Sequence, residues 1–222
     1  MNLVSLADRA RVLVGANPKR SVLGITGAPG AGKSTLAQAL VAELLGAAAG
    51  SAWIGSWVAY VPMDGFHLAD IELDRLGRRD RKGAPDTFDA AGYVALLRRL
   101  RADDEEIVYA PGFEREIEQP IAGSLPVTRD ARLVVTEGNY LLVDEPAWAP
   151  VRAELDEAWF CDLAEQTRLD RLVARHEQFG KPHNAAMAWA YGTDQRNADL
   201  VAGTRTRADL IVPDDVLKSM PQ

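Results

Sequence analysis

The chain has 222 residues, a formal net charge of −7 and a hydrophobic fraction of 47 %. This length fits one α/β domain over residues 1–222, and the acidic balance argues against a broad nucleic-acid-binding surface. A single cysteine, Cys161, excludes an internal disulfide framework and indicates a reduced compartment. No apolar run approaches the length of a membrane span. We therefore expect a cytoplasmic protein that binds small anionic ligands, with no nucleic-acid or membrane partner; a homodimer is left open.

The N-terminal stretch carries apolar residues at helical spacing between Leu3 and Leu13, interrupted by charged residues. This pattern predicts an amphipathic helix over residues 1–16 that ends at Gly15 or Asn17. The charges break the continuous apolar segment that a secretory signal peptide needs. We therefore expect a helix of the folded domain here.

The stretch "LGITGAPGAGKSTLAQAL" at 23–40 contains a glycine-rich turn followed by a lysine and a serine. Its spacing matches G-x-x-x-x-G-K-[ST], a loop whose backbone N–H groups and following helix bind a phosphate chain. An apolar strand over 22–26 and a helix over 34–45 are predicted on either side, in the order that this loop requires. The alternative is a glycine-rich turn with only a structural role.

In the phosphate-binding interpretation, Lys33 reaches the β- and γ-phosphates and the Ser34 hydroxyl binds Mg²⁺. The predicted nucleotide-binding residues of this loop are Gly27, Ala28, Pro29, Gly30, Ala31, Gly32, Lys33, Ser34 and Thr35. The glycine spacing is G-x-x-G-x-G, whereas the dinucleotide fingerprint is G-x-G-x-x-G. We therefore do not expect NAD or FAD.

The rest of the chain alternates predicted strands and helices. In chain order they are a strand at 57–62, a basic loop at 75–89, a helix at 90–101, a strand in "EEIVYAPGF", strands in "ARLVVTEGNYLL" and "LDEAWFCDL", helices around 165–178 and 183–202, and a strand in "ADLIVPD". The stretch "AAAG" at 47–50 is predicted to end a helix. The alternation indicates a mainly parallel sheet with helices on both faces, in which ligands bind at the carboxyl ends of the strands.

Two acidic residues are predicted at carboxyl ends of strands, where phosphoryl transfer needs support for a metal ion and a group that accepts a proton. Glu137 ends the strand in "LVVTEGNYLL", and we predict it beside Mg²⁺; the alternative role is a strand-end cap. Asp64 follows the strand at 57–62, and we predict it as the general base; the alternative is an ordinary Asp-Gly turn.

The three histidines give weaker signals. His67 follows Asp64 closely and is predicted either to contact an acceptor or to cap the next helix. His176 and His183 are no better placed, and no cluster of histidine, cysteine and aspartate has metal-ligand spacing in the sequence.

In "QTRLDRLVARHEQFGKP", three arginines, Arg168, Arg171 and Arg175, fall on one face of a predicted helix. An arginine stripe alone is typical of a solvated face. Phosphoryl transfer, however, needs cations that close over the phosphoryl group and expel water. We therefore predict a helical lid near residues 165–182, with Arg171 and Arg175 as its catalytic cations.

The chain resembles the P-loop kinases that include uridine kinase, pantothenate kinase and phosphoribulokinase, and it is most similar to the branch of nucleoside/nucleotide kinases and kinases linked to fructose transport. The stretches that carry the resemblance follow the family's order along nearly the whole chain: "GITGAPGAGKSTLA", "VPMDGFHL", "DRKGAPDTFDA", "TEGNYLL", "RLVARHEQFG" and "NADLVAGTRTRADLIV". The phosphate loop is common to many families, whereas "MDGFHL" followed by "RKGAPDTFD" is more specific.

The resemblance implies a P-loop kinase fold with a parallel five-stranded core, ATP with Mg²⁺, and an arginine lid. It implies that Asp64 is the base on an acceptor hydroxyl and that Glu137 lies on the metal side. It also implies that Arg205 and Arg207 lie near the adenine.

In "RKGAPDTFD", Arg81 and Lys82 are candidates to bind an acidic acceptor; the alternative is a turn followed by a helix cap. The segment "YAPGFEREIEQP" has no histidine, whereas uridine kinase and pantothenate kinase each carry a histidine-bearing segment there. Neither uridine nor pantothenate is therefore assigned as the acceptor. Phe113 is predicted to stack on an acceptor ring or to fill the core, and Arg115 to bind a carboxylate or phosphate.

Two functional hypotheses follow from these residues. The first is ATP-dependent transfer of a phosphoryl group to a hydroxyl of a small metabolite, such as a nucleoside, a sugar or a pantothenate-like compound. The second is a nucleotide switch or a hydrolysis-driven binding protein. The N-K-x-D motif of guanine switches and the serine-glycine-glycine signature of transporter ATPases are absent from the sequence, which favours the kinase.

Overall fold

The computed structural model describes residues 1–46 and 56–220. Its main sheet has five parallel strands in the order β2-β5-β1-β6-β7. These strands are β1 (Ser21–Gly27), β2 (Val58–Pro62), β5 (Leu133–Glu137), β6 (Glu157–Asp162) and β7 (Leu210–Pro213). The central strand β1 is buried along its whole length, as its apolar sequence predicts. The predicted parallel five-stranded sheet is confirmed.

Helices cover both faces of this sheet, as predicted. They are α1 (Leu3–Ala16), α2 (Lys33–Leu45), α3 (Asp70–Leu76), α4 (Ala90–Ala102), α5 (Ala149–Ala153), α6 (Glu165–Gln178), α7 (His183–Trp189), α8 (Gln195–Ala202) and α9 (Asp214–Ser219). One buried cluster joins α1, α2 and α9 to the sheet through Leu6, Leu36 and Val216. A second cluster, which includes Tyr140 and Trp148, joins α4 to the other face. Within the described ranges, no helix is long and apolar enough to cross a membrane.

A separate antiparallel hairpin consists of β3 (Ile107–Glu114) and β4 (Gln119–Thr128). The strand predicted in "EEIVYAPGF" is present, but it pairs with β4 instead of joining the main sheet. The sequence does not predict β4, because Pro120, Gly123 and Pro126 are unfavourable inside a strand. The hairpin packs so closely on the turn after β2 that a Cβ on Gly65 would lie 2.2 Å from the carbonyl oxygen of Pro111. This contact places the hairpin beside the carboxyl end of β2.

Three other predicted segments differ in detail. The basic loop predicted at 75–89 overlaps the end of α3 and contains 3₁₀ turns at Arg79–Arg81 and Pro85–Thr87. The helix predicted over 183–202 is interrupted by a π-helical turn at Ala190–Asp194, a feature that is frequent at functional sites. The helix end predicted at 47–50 lies outside the described residues.

Candidate active site

The phosphate-binding loop connects the carboxyl end of β1 to the start of α2. Gly27, Gly30 and Gly32 have positive φ angles of 146°, 80° and 86°. A Cβ on Gly27 would also lie 2.8 Å from the carbonyl oxygen of Cys161 on β6. Glycine adopts such conformations without strain, and its missing side chain permits the close approach. The structure therefore contains the strand, loop and helix that the sequence predicts.

Lys33 is buried at the start of α2. Its Nζ donates a hydrogen bond of 3.0 Å to the carbonyl oxygen of Ala28 within the loop. Burial lowers the pKa of Lys33, and the negative charge of Glu137 opposes this shift. An anionic ligand in the loop would stabilise the charged form of this lysine.

Glu137, at the end of β5, is only 3 % exposed. Its Oε1 accepts hydrogen bonds from Ser34 Oγ at 2.9 Å and from the Tyr60 hydroxyl at 3.0 Å. Burial raises the pKa of Glu137, as does the nearby charge of Asp64, whereas Lys33 lowers it. The structure thus brings together the two residues predicted on the metal side and adds Tyr60, which the sequence analysis missed.

Ser34 and Glu137 offer a hydroxyl and a carboxylate oxygen, the hard donors that Mg²⁺ prefers. Among residues 1–46 and 56–220, no group of three or more His, Cys, Asp or Glu side chains is arranged to hold a metal ion. In nucleotide sites, Mg²⁺ usually has few protein ligands and completes its shell with phosphate oxygens and water. The pair of side chains therefore fits a magnesium ion that binds together with a nucleotide.

Asp64 lies in the 3₁₀ turn Met63–Phe66 that directly follows β2. Its carboxylate is 3.4 Å from a guanidinium nitrogen of Arg115, which lies in the connection between β3 and β4. Its backbone carbonyl oxygen accepts a hydrogen bond of 2.8 Å from Nδ1 of His67. The Asp64 side chain is 27 % exposed, so its carboxylate is accessible to a bound hydroxyl group.

An aromatic wall formed by His67, Phe88 and Phe113 lies next to Asp64. The centroid of the His67 ring is 4.0 Å from that of Phe88 and 4.8 Å from that of Phe113. Lys82 Nζ and the Arg115 guanidinium lie 5.5 Å and 5.9 Å from the Phe113 centroid. Phe113 therefore belongs to the wall of the site and not to the hydrophobic core.

These groups line one cavity of about 320 Å³. The predicted site residues among its walls are Pro29, Gly30, Lys33, Ser34, Asp64, His67, Lys82, Phe113, Arg115, Glu137 and Arg175. Its other walls are formed by Asp70, Arg79, Gly83, Phe88, Glu118, Asn139, His176, Phe179, Lys181, Trp189, Asp194 and Asn197. The cavity therefore connects the phosphate loop with the region around Asp64 and with the segment that follows α6.

The N-terminal half of α6 packs directly on the phosphate loop. Arg168 is buried and donates a hydrogen bond of 3.4 Å to the carbonyl oxygen of Pro29. A Cβ on Gly30 would lie 2.8 Å from Cγ of Leu172. The sequence analysis placed Arg168 on a helix face with two other arginines but did not predict its burial against the loop.

The two arginines predicted as lid cations lie on the same helix, Arg171 directly before Leu172 and Arg175 three residues after it. A guanidinium nitrogen of Arg171 would be 3.3 Å from a Cβ on Gly32, and another donates to the carbonyl oxygen of Leu217 at 3.4 Å. Arg175 is exposed and lines the cavity. Both lie close to the phosphate-binding region, and their catalytic role stays a prediction.

Of the predicted site residues outside the phosphate loop and α6, three do not line this cavity. Arg81 pairs with Asp86 at 2.6 Å on the surface. Arg205 and Arg207 occupy a 3₁₀ turn before β7, where each pairs with an aspartate, at 2.9 Å and 3.2 Å. The acceptor contact of Arg81 and the adenine contacts of Arg205 and Arg207 stay predictions.

Comparison with known proteins places this site in a family. No model of a protein family matches the chain. "Putative uridine kinase C227.14" of Schizosaccharomyces pombe is 31 % identical over 206 residues, which cover 91 % of this chain and 84 % of that protein. "ATP-dependent kinase-like protein notR'" of Aspergillus versicolor is 32 % identical over 160 residues, which cover 68 % of this chain and 93 % of that protein. The chain belongs to the uridine kinase-like P-loop kinases.

A solved structure supports the same assignment. The "putative fructose transport system kinase from Silicibacter sp. TM1040" matches this P-loop kinase with a TM-score of 0.84 and 37 % identity, over 96 % of this chain and all of that chain. The predicted family resemblance and the predicted fold are thereby confirmed.

The kinase site also contains two pairs of residues, at the C-terminal end of α6 and after it, whose contacts the sequence analysis did not predict. His176 Nε2 lies 2.7 Å from a carboxylate oxygen of Asp194, in the π-helical turn. Lys181 Nζ lies 5.0 Å from the ring centroid of Trp189. The partners are 18 residues apart in the first pair and eight in the second, and the way in which α6, its connection to α7 and the π turn pack together brings them into contact. Asn139 had a sequence signal, because it closely follows Glu137 at the carboxyl end of β5.

Proposed function

We propose that this kinase transfers the γ-phosphoryl group of ATP to a hydroxyl group of a small metabolite. The observation that carries the proposal is a single cavity lined by Lys33 and Ser34 of the phosphate loop and by the accessible carboxylate of Asp64. Phosphoryl transfer needs this arrangement, because the attacking and leaving oxygens lie roughly in line on either side of the phosphorus. The relatives named as a uridine kinase and an ATP-dependent kinase-like protein support ATP as the donor and a hydroxyl compound as the acceptor.

In the proposed reaction, the acceptor oxygen attacks the γ-phosphorus while the bond from that phosphorus to the β–γ bridging oxygen breaks, and ADP leaves. Asp64 accepts the hydroxyl proton on its carboxylate. Lys33 and Arg175 stabilise the negative charge on the phosphoryl oxygens. Arg115, 3.4 Å from the Asp64 carboxylate, orients that carboxylate within the cavity.

We propose Mg²⁺ as the metal, held by Ser34 and Glu137. When bound, Mg²⁺ neutralises charge on the β- and γ-phosphate oxygens. The hydroxyls of Ser34 and Tyr60 both donate to Oε1 of Glu137, so they fix the orientation of the carboxylate before a nucleotide binds. This pre-organisation lowers the cost of ordering the site on binding.

The Asp64→Asn variant tests the proposed base. Asparagine keeps the size and hydrogen-bonding capacity of the side chain but cannot take a proton, so transfer is expected to fall about 10²-fold or more while ATP affinity is retained. ADP release would be measured with and without a panel of nucleosides, sugars and pantothenate, and ATP binding by calorimetry. Asp130→Asn, at an exposed loop position, is the control and is expected to behave as wild type.

Two results would contradict the proposal. If Asp64→Asn loses ATP binding and transfer together, Asp64 is not specifically the acceptor base. If the wild-type protein releases ADP at a rate that no acceptor increases, the hypothesis of a nucleotide-hydrolysing switch is favoured instead.

A further inference from the structure

Lys82, in the basic loop between α3 and α4, has an ammonium group that contacts three parts of the protein. Its Nζ lies 2.7 Å from a carboxylate oxygen of Asp70 at the start of α3, and only 13 % of the Lys82 side chain is exposed. The same Nζ donates a hydrogen bond to the backbone carbonyl oxygen of Glu118 and lies 5.5 Å from the centroid of the Phe113 ring. The charge of Lys82 is therefore balanced within the protein.

The carbonyl group that Lys82 binds belongs to the hairpin turn, residues 115–118, which connects β3 to β4. Glu118 has a positive φ of 54°, a left-handed conformation that costs free energy in a residue other than glycine. Such a conformation persists where the surrounding contacts hold it in place. The hydrogen bond from Lys82 is one of these contacts.

In the described part of the chain, two other hydrogen bonds join this end of the hairpin to the rest of the protein. The backbone N–H of Asp70 donates to Oε1 of Gln119 at 3.2 Å, and Arg115 donates to the carboxylate of Asp64 at 3.4 Å. Lys82 and the start of α3, which are paired with each other, therefore hold two adjacent residues of the hairpin.

The hairpin turn carries Arg115, the residue that contacts the proposed base. A guanidinium nitrogen of Arg115 lies 3.4 Å from the Asp64 carboxylate, and both side chains line the cavity. Because 46 % of the Arg115 side chain is exposed, its placement depends on the position of the backbone that carries it. A shift of the hairpin turn would therefore separate the guanidinium from Asp64.

We propose that Lys82 is a positioning residue, which fixes the hairpin turn so that Arg115 reaches the carboxylate of Asp64. Lys82 acts through the backbone of Glu118 and does not itself contact the reacting groups. The alternative is the direct contact with an acidic acceptor that the sequence suggests for Lys82. This inference rests on the proposed role of Asp64 as the general base.

Hydrogen exchange of the ligand-free protein tests the attachment of the turn. Lys82→Met keeps an unbranched side chain but removes the ammonium group. Amides of residues 113–121 are expected to exchange about tenfold faster or more in this variant, because a hydrogen bond from a charged donor is lost. Asp70 also pairs with Arg79 at 2.8 Å, so the substitution does not leave this carboxylate without a cation.

Two further variants control this measurement. Lys82→Arg keeps a cation that can pair with Asp70 and donate to Glu118, so its exchange over 113–121 is expected to stay within about twofold of wild type. Lys19→Met replaces a lysine at an exposed position and is expected to exchange as wild type. Amides of the buried strand β5 serve as the internal reference in all variants.

A double-mutant cycle tests whether Lys82 acts through Arg115. The quantity measured is kcat/KM for the best acceptor among the nucleosides, sugars and pantothenate. Lys82→Met is expected to lower kcat/KM about tenfold in the wild-type background but only about twofold or less in an Arg115→Met background, because the two residues act on one contact. Calorimetry is expected to show unchanged ATP affinity in Lys82→Met, since the phosphate loop is not altered.

Two results would overturn the proposal. Unchanged exchange over 113–121 in Lys82→Met would show that Lys82 does not hold the hairpin turn. An equal loss of kcat/KM with and without Arg115 would show that Lys82 acts independently of Arg115, as a direct acceptor contact would. Either result leaves the proposed kinase function intact. If wild-type enzyme phosphorylates no acceptor, the proposed function is contradicted instead, and the exchange measurement still decides whether Lys82 holds the turn.

Discussion

Lys33 and Glu137 are buried side chains of opposite charge at the phosphate loop. Each is bonded to its own neighbours, Lys33 to a loop carbonyl and Glu137 to two hydroxyls. Burial disfavours both charges, which lowers the pKa of Lys33 and raises that of Glu137. The negative charge of a phosphate chain would stabilise the charged form of Lys33, and a cation would stabilise the charged form of Glu137. These two pKa shifts support the proposed binding of a nucleotide together with Mg²⁺.

Replacing Glu137 with glutamine is expected to weaken Mg²⁺ binding about tenfold or more. The amide keeps the shape and can still accept hydrogen bonds from Ser34 and Tyr60, but it offers the cation no charge. A Mg²⁺ titration of turnover and calorimetry of ADP binding with and without Mg²⁺ measure the effect. Glu106→Gln, at a position whose side chain is 83 % exposed, is the control. If the Mg²⁺ concentration that gives half-maximal turnover is unchanged, Glu137 does not bind the metal and serves only to end the strand.

Gly30 is fixed both by its conformation and by its contacts with α6. An alanine there would hold φ near 80° and place its Cβ 2.8 Å from Leu172 and 2.9 Å from the carbonyl oxygen of Arg168. We expect Gly30→Ala to lower nucleotide affinity at least about tenfold, because either the loop or α6 must move.

Gly46→Ala is the matched control for this prediction. Gly46 also has a positive φ, of 62°, but among residues 1–46 and 56–220 no non-neighbouring atom lies within 4 Å of its Cβ position. It is expected to lose about 1 kcal/mol of stability from backbone strain and to keep its nucleotide affinity. Calorimetry and urea unfolding compare the two variants, and equal nucleotide affinities would show that the Gly30 contact has no effect on the site.

At the scale of elements, α6 divides into a docked half and an exposed half. Arg168 and Leu172 are buried against the phosphate loop, whereas Arg175 and the following residues to Phe179 are mostly exposed along the cavity. Buried contacts raise the free energy of local opening, and exposed segments with few contacts open more easily. Any lid motion is therefore expected at the C-terminal end of α6.

Hydrogen exchange distinguishes these two halves. Amides of residues 169–172 are expected to be protected without ligand, while those of 175–182 gain protection only with ATP and an acceptor. Amides of α4 over 94–100, which pack in the core, serve as the internal control. Identical exchange over 165–182 in both states would contradict the predicted lid.

The sequence predicts α6 well because its apolar and charged residues follow one helical period, from Glu165 to Gln178 as observed. It predicts the parallel strands because they are continuous apolar runs. The hairpin is harder to predict from the sequence, since only Val127 of β4 is buried and the strand contains residues that disfavour strands. Its pairing with β3 therefore decides its structure. In the site, the glycine loop and strand-end acids have local signals, whereas Tyr60 and the pair of His176 with Asp194 depend on tertiary packing.

The charge of the whole chain contrasts with that of its cavity. The chain has a net charge of −7, yet six lysines and arginines line the cavity against five aspartates and glutamates. A local excess of positive charge within an acidic molecule favours entry of phosphorylated ligands. The cytoplasmic location and the homodimer considered from the sequence stay predictions.

The buried guanidinium of Arg20, next to the main sheet, forms hydrogen bonds to the end of the hairpin. Arg20, just before β1, is 1 % exposed. It donates hydrogen bonds to the carbonyl oxygens of Leu100, Thr128 and Ala131 at 3.0, 3.0 and 2.7 Å, and it pairs with Asp103 at 2.7 Å. These partners belong to α4, to the end of β4 and to the segments that follow them. A single side chain thus connects the main sheet, the hairpin and the helix that covers them.

Arg20→Met is expected to lower the free energy of unfolding by about 3–5 kcal/mol, because it removes the nearer of the two cations beside Asp103 and one hydrogen-bond donor from each of three buried carbonyl groups. Arg98→Met is the control: Arg98 pairs with Glu154 at 2.9 Å, but its side chain is 62 % exposed, so the expected loss is at most about 1 kcal/mol. Urea unfolding followed by circular dichroism measures both variants. Because Arg20 holds the hairpin to the sheet, amides of β3 and β4 are also expected to exchange faster in Arg20→Met. A loss no larger than that of the control, with unchanged exchange in the hairpin, would show that water or repacking satisfies these groups and that Arg20 does not join the two sheets energetically.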